Sequence, residues 1–389
     1  MINKIKIQNY KSIVDTDLHL GVFNVMIGAN GCGKSNILEA IAMASASSAG
    51  KLDFEFFANR GIRLTEPRMM FPAFDGIAAE AIKVEVFDNY NRGHMLFSLK
   101  YNENSKPSKW EDESINFRDL LSEINKRTET GAATMKDVLS ILDNMEKRDD
   151  AIVNMRFRKV NGKTILMPIN PDFEQFTIYS LEESELRKSD DSNRIFPLGR
   201  HGEGLFAYLK QLANHPKGVE IIKEINENLE ILDWFDNLDI PSEQLSNEFK
   251  VKLHDMYLDE SILYFDQRST NEGFLYLLFY LTLIISDETP KFFAIENIDA
   301  SFNPKLCKEV ISRLINLAKK HKKQVIATTH NPAVLDGLDL NDHKVVLSVA
   351  RRSVDGYTKT NVVSLKGNLD IPLSEAWLRG YIGGLPDNF

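Results

Sequence analysis

Gly28-Ala29-Asn30-Gly31-Cys32-Gly33-Lys34-Ser35 is the stretch on which the reading of this chain turns. Val22, Phe23, Val25, Met26 and Ile27 precede it as an apolar run of strand type, and Asn36-Ile37-Leu38-Glu39-Ala40-Ile41-Ala42-Met43 follows it without a helix breaker. Strand, glycine-rich loop and helix in that order, with the spacing Gly-x-x-x-x-Gly-Lys-Ser, make a phosphate-binding loop. Gly28, Gly31 and Gly33 let the backbone turn so that successive N–H groups face a phosphate chain at the positive end of the helix. Lys34 supplies a point charge for the terminal phosphates, and Ser35 has the hard oxygen that Mg²⁺ prefers. Cys32 occupies a variable position and is expected as a small filler. The whole loop from Gly28 to Asn36 is the expected nucleotide cradle.

The rest of the composition narrows the class. The 389 residues are 43% hydrophobic and 26% charged, which excludes disorder and fibrous structure. Two cysteines, Cys32 and Cys307, make no disulfide framework, so a reducing compartment is expected. The longest apolar run, Phe274 to Ile285, is too short for a bilayer, and the start MINKIKIQNY lacks a signal sequence. The expectation is a cytoplasmic protein without a membrane partner. A net charge of −9 provides no global field for a polyanion, so nucleic acid would need a local patch or a dimer groove.

Some 260 residues further on, Lys291-Phe292-Phe293-Ala294-Ile295 reads as a short buried strand ending in Glu296-Asn297-Ile298-Asp299. A carboxylate at such a strand end is placed to hold Mg²⁺. Asn303-Pro304 opens a helix with Leu306, Val310, Ile311, Leu314 and Leu317 on one face, and Gln324-Val325-Ile326-Ala327-Thr328-Thr329-His330 is a second strand. Together these form a βαβ unit. His330, followed by Asn331-Pro332, either reaches the γ-phosphate or belongs to a capped turn.

The order of these motifs resembles the ATP-binding-cassette heads of the SMC and RecF type, and most closely the short AAA-labelled ATPases found beside RecF and the OLD proteins. The resemblance runs through KIQNYKSIVDTDLHLGVFNVMIGANGCGKSNILEAI and from about residue 267 to 350, including Leu335-Asp336-Gly337-Leu338. It implies an α/β P-loop NTPase head with an antiparallel lobe and a helical insertion, using ATP and Mg²⁺ and working as a homodimer or higher even oligomer. In such heads a signature loop of one subunit covers the ATP of another. Ser269-Thr270-Asn271-Glu272-Gly273 stands at that place, with Asn271, Glu272 and Gly273 expected at the phosphates. Thr270 or Asn271 also suits a helix N-cap.

The chain departs from the family in four places, the first being the signature serine, which has become Asn271 or has slipped to Ser269. Where the family has Asp-Glu, this chain has Glu296-Asn297. Glu296 can hold the metal with Ser35, but Asn297 cannot accept a proton, so turnover is expected to be slow unless Asp299 or His330 serves as base. Asn303 stands where an aspartate is usual, and no glutamine occurs between residues 36 and 174 to serve the Q-loop. The resemblance implies an ATPase of antiviral defence controlling a separately encoded nuclease or toxin. The alternatives are a RecF-like DNA-binding repair factor and a nucleotide-binding scaffold without turnover.

The expected organisation is an amino-terminal half of the head at 1–101, a largely helical insertion at 102–245, the second half at 246–365 and a tail at 366–389. Alternation at Ile82, Val84, Val86 and at Met95, Phe97, Leu99 predicts a hairpin in the antiparallel lobe. Amphipathic helices are expected within 117–145, a strand pair around Asn161-Gly162, and a helix bearing Ile222, Ile225 and Leu229. The run Lys319-Lys320-His321-Lys322-Lys323 reads as a solvated helix end. The tail, with Trp377 and Gly380, Gly383 and Gly384, is expected as a docking or capping segment with no room for a nuclease domain.

Overall fold

The computed structural model describes residues 1–88, 93–103, 108–113, 155–160, 163–168, 172–188, 197–240, 251–259, 264–364 and 371–385. The helices expected within 117–145 and the Asn161-Gly162 turn lie outside these residues. From the amino terminus, β1 (Ile2–Tyr10), β2 (Ile13–His19) and β3 (Phe23–Ile27) lead to α1 (Lys34–Ser48) and α2 (Phe54–Asn59). Next come β4 (Ile82–Asp88), β5 (Gly93–Asn102), β6 (Lys109–Asp112), β7 (Met155–Val160), β8 (Lys163–Pro168) and β9 (Ile178–Tyr179). Helices α3 (Glu183–Leu186), α4 (Leu205–Ala213) and α5 (Pro216–Leu229) precede the ribbon β10 (Phe235–Asp239) and β11 (Lys252–Asp255). Then follow α6 (Glu272–Ile285), β12 (Phe292–Ile295), α7 (Pro304–Lys320), β13 (Gln324–Thr328), β14 (Val345–Arg352), β15 (Thr358–Val362) and α8 (Leu373–Leu378).

The chain folds as two compact units. One comprises Met1–Gly21, Asn30–Gln175 and Ala350–Asn361; the other comprises Val22–Ala29, Phe176–Val349 and Val362–Phe389. In the first, an antiparallel sheet runs β2-β1-β4-β5-β6. The expected hairpin is present, with Ile82 opposite Leu99, Val84 opposite Phe97 and Val86 opposite Met95. All six side chains are buried on one face, as period-two alternation requires. Helix α1 packs against β1, β4 and β5. Its run of Ala40, Ala42, Ala44, Ser45, Ala46 and Ser47 is buried, and small side chains of this kind let a helix approach closely.

In the second unit, parallel strands lie in the order β14-β3-β13-β12-β9. The β12-α7-β13 unit foreseen from the sequence is there, with Phe293 level with Val325. Strand β9 has only two residues and escapes any periodicity analysis, yet it extends the sheet, with Ala294 level with Ile178. The apolar run Phe274 to Ile285 is helix α6, and every one of its residues is buried. A helix that is apolar on all sides needs neighbours all round; α3, α5 and α7 pack against it. No helix among the described residues is long and apolar enough to cross a membrane.

Helix α7 begins as its sequence dictates. Asn303 Oδ1 accepts the Leu306 N–H at 3.0 Å, and Pro304 occupies the first turn. Its far end differs from the solvated face expected. Lys319 pairs with Asp342 at 2.5 Å, and Lys320 and His321 both reach Glu224 of α5, at 2.9 and 2.8 Å. Lys323 is fully buried and donates to the Thr289 carbonyl and hydroxyl at 2.8 and 2.7 Å. The basic run therefore works as an internal brace, because acidic and carbonyl acceptors on neighbouring segments face it.

Candidate functional site

Strand β3 ends at Ile27, and Gly28 opens the glycine-rich loop. The loop needs its glycines: φ is +75° at Gly31 and +105° at Gly33, values that cost any other L-residue about 1–2 kcal/mol. Gly33 is also too tightly enclosed for a side chain, since a Cβ there would lie 2.1 Å from Thr358 Oγ1. Gly33 caps α1 without any side-chain acceptor, and Lys34 begins the helix, buried, with Nζ 3.8 Å from Cys32 Sγ. Cys32 is buried in the loop, as expected of a filler.

The loop is locked from behind. Asn36 Nδ2 donates to Ser12 Oγ at 2.7 Å, Ser12 Oγ lies 2.7 Å from Thr358 Oγ1, and Thr358 Oγ1 donates to the Cys32 carbonyl at 2.8 Å. Arg352 Nε donates to the Gly31 carbonyl at 3.0 Å. In a trans peptide the C=O and the following N–H point opposite ways. Pinning the carbonyls of Gly31 and Cys32 therefore aims the N–H groups of Cys32 and Gly33 away from Arg352 and Thr358. That orientation suits an anion cradle. On the other side of Asn36, its Oδ1 accepts from Arg63 Nη2 at 3.0 Å, and buried Glu39 binds Lys11, Arg63 and Tyr10. Burial, and then the Glu39 charge, push the Tyr10 hydroxyl well above its ordinary range, so it keeps the proton that it donates to Glu39.

In the second unit the sheet register gathers the remaining candidates along one edge. Met26 is level with Thr328, Ala327 with Ile295, and Ile27 with Val349. Gly28, Glu296 and the Thr329-His330 pair thus follow the carboxyl ends of three adjacent parallel strands, the edge at which open α/β sheets bind ligands. His330 and Asn297 are exposed and Glu296 is half-buried. The turn after Glu296 is fastened to β13. Asn297 N–H donates to Thr328 Oγ1 at 3.1 Å, Ile298 N–H to the Thr328 carbonyl at 3.1 Å, and Thr329 Oγ1 to Asp299 Oδ1 at 2.6 Å. Asn297 has φ +51°, a left-handed conformation that Asn tolerates better than most residues. Cys307 lies nearby, and burial together with the Asp299 charge pushes its thiol up to about 11, so it stays neutral.

The loop before α6 shows the capping role clearly. Asn271 Oδ1 accepts the Phe274 N–H at 2.8 Å, and Glu272 stands in the first turn of the helix. Asn271 is exposed. Gly273 lies so close to its neighbour that a Cβ would sit 3.0 Å from the Ser301 carbonyl. Asp266 Oδ1 accepts from Arg268 N, Ser269 N and Ser269 Oγ at 3.0–3.1 Å. Burial works against its charge, but these bonds outweigh it and hold the carboxyl below its usual range.

The tail meets the same sheet edge. Ser374 N and Oγ donate to Asp336 at 3.0 and 2.7 Å, and Trp377 is buried. At Gly384, with φ +83°, a Cβ would stand 2.9 Å from Val349 Cγ1 and 3.5 Å from the Cα of Gly28. Thr358, Arg352, Ser12 and Gly384 carry no motif of their own, and only the fold brings them to the loop.

A loop of P-loop form after β3, an acid after β12, β13 between those strands, and an antiparallel sheet in the other unit define a P-loop NTPase of the ATP-binding-cassette type. The family described as an AAA ATPase domain matches residues 1–335, and the chain belongs to it. Its fold is that of SMC heads. It is similar to the Smc head bound to the C-winged helix domain of ScpA, with a TM-score of 0.54, 16% identity, and 94% of this chain and 98% of that one covered. It is also similar to the Smc head domain with an extended coiled coil, bound to the C-terminal domain of ScpA, from Pyrococcus furiosus, with a TM-score of 0.51, 14% identity and 94% and 96% covered. For the Smc head domain with a coiled coil and joint from Pyrococcus yayanosii the values are 0.51, 13%, 98% and 99%. No curated protein matches the chain in sequence.

Proposed function

We propose that this ATPase is an ATP-gated dimerising switch that turns over slowly. The observation carrying this reading is the locked glycine-rich loop, in which Arg352 and Thr358 hold the Gly31 and Cys32 carbonyls back and the loop amides are left aimed at an anion. ATP would be held by Gly28 to Asn36, with Lys34 on the terminal phosphates. Mg²⁺ would be held by Ser35 and Glu296, oxygen donors of the kind that ion takes. His330 would sense the γ-phosphate. Asn297 gives no proton acceptor where a base is expected, so the ATP-bound state persists. Asn271, Glu272 and Gly273 would cover the ATP of a second copy, favouring an even oligomer. A separately encoded effector, a nuclease or toxin of a cytoplasmic antiviral defence system, would be the partner that reads the closed state.

The choice of test variant follows from the packing. Gly273 touches Ser301, so a large side chain there would disturb α6 as well as any trans contact. Asn271→Asp is cleaner, since Asp caps a helix as well as Asn does but sets a carboxylate against phosphate. Light scattering with and without Mg·ATP should show the wild type becoming a dimer and Asn271→Asp remaining a monomer at equal melting temperature. A wild type whose mass ignores Mg·ATP would end the switch reading.

A further inference from the structure

Arg187, just past α3, makes more bonds to one loop than any motif in the sequence announces. Its Nη1 lies 3.1, 3.0 and 2.9 Å from the carbonyls of Gln267, Arg268 and Thr270. The other edge of the guanidinium, Nε and Nη2, holds Glu183 Oε1 at 3.0 and 2.6 Å. Two protons on Nη1 are shared among three acceptors, so the group works as a clamp across the loop and not as the partner of any single carbonyl. A second fastening lies in α6 itself, where Tyr276 Oη donates to the Leu181 carbonyl at 3.2 Å. The segment Leu181 to Arg187 thus holds the loop before α6 through Arg187 and the helix that follows it through Leu181.

We propose that Arg187 is the positioning residue of the loop Asp266–Gly273, and that through it the segment Leu181–Arg187 controls closure over ATP. This rests on the reading of Asn271 to Gly273 as the trans contact. The mechanism is geometric. Drawing the Thr270 carbonyl toward Arg187 turns the Asn271 N–H the opposite way, out of the clamp. The Asn271 amide side chain already spends its oxygen on Phe274, so its nitrogen and the main-chain N–H are the donors left for an incoming phosphate. The clamp is not a core prop. The Arg187 side chain is 24% exposed and that of Glu183 is 46% exposed, so a partner binding at α3 can compete for the guanidinium. A lysine cannot substitute, because one ammonium lacks the two-edged fork that spans Glu183 and the loop.

The test compares wild type, Arg187→Met and Arg187→Lys in the full chain. Amide hydrogen exchange without nucleotide is expected to rise at Gln267–Asn271 in both variants by tenfold or more, with α6 unchanged. Affinity for a fluorescent ATP analogue should stay within twofold, while the protein concentration needed for Mg·ATP-driven dimerisation rises at least tenfold. Glu183→Gln, which keeps Arg187 but loosens it, should fall between. Unchanged exchange in the loop of Arg187→Met would overturn the inference, and so would full rescue by lysine or equal loss of affinity and closure. Wild type that does not close on Mg·ATP would count against the switch itself, while the exchange result would still decide the role of Arg187.

Discussion

Lys34 and Asn297 state the chemistry of the two halves most directly. A lysine ammonium about 4 Å from a phosphate charge contributes on the order of 4 kcal/mol at an effective dielectric of about 20, roughly a thousandfold in affinity. Lys34→Ala is therefore expected to abolish measurable ATP binding by calorimetry while the melting temperature holds, since the residue begins a helix in which alanine is at home. Asn297 has two roles at once. In the proposed switch it withholds a base, and in the structure it relieves a backbone turn at φ +51°. Asn297→Glu should raise phosphate release tenfold or more and at the same time lower the melting temperature by about 1 °C, because glutamate pays about 1 kcal/mol more in the left-handed region. Asn297→Gly separates the effects, keeping stability and gaining no rate. A rate that falls in Asn297→Glu would assign the base to Asp299 or His330.

At the level of elements, the junction between α5 and α7 shows how a charge run acquires a structural use. Burial alone would raise the Glu224 carboxyl, but hydrogen bonds from His321 and Lys320 outweigh it and hold the group below the usual carboxylate range. Since the folded value is depressed, the stabilisation is complete above about pH 4.5 and fades as the pH falls through the lower folded value. A partly exposed bridge of this kind is worth about 1 kcal/mol or less. Glu224→Gln should thus melt about 1 °C lower than wild type at pH 7, and the gap should narrow as the pH falls below about 4.5. A gap independent of pH would mean that shape, not charge, joins the helices. The run Lys319 to Lys323 shows why sequence reading stopped short here. Charge and helix end were visible locally, but Glu224, Asp342 and the Thr289 carbonyl come from segments far away in the chain.

For the molecule as a whole, the tail ties the carboxyl end of the chain to the first glycine of the loop. Gly384→Val would place a Cβ 2.9 Å from Val349 in a conformation with φ +83°. Release of the tail is expected to expose Trp377, seen as increased acrylamide quenching and a red-shifted emission, with a loss of about 2 kcal/mol from strain and lost burial. Unchanged quenching would show that the tail accommodates the side chain elsewhere. The eight residues from Gly28 to Ser35, and the alternation along β4 and β5, could be read without coordinates because phosphate cradles and strands are local patterns with short periods. The same holds for the acid after β12, the Asn-Pro start of α7 and the strand from Gln324, which the sequence carries on to His330 and the structure ends at Thr328. Strand order, the two-residue β9, the Thr358 and Arg352 lock, the Arg187 clamp and the Gly384 contact are different in kind. Each joins positions tens to hundreds of residues apart in the chain, and no periodicity records such a pairing. Only the closing of the sheets, with buried polar groups obliged to find partners, selects them.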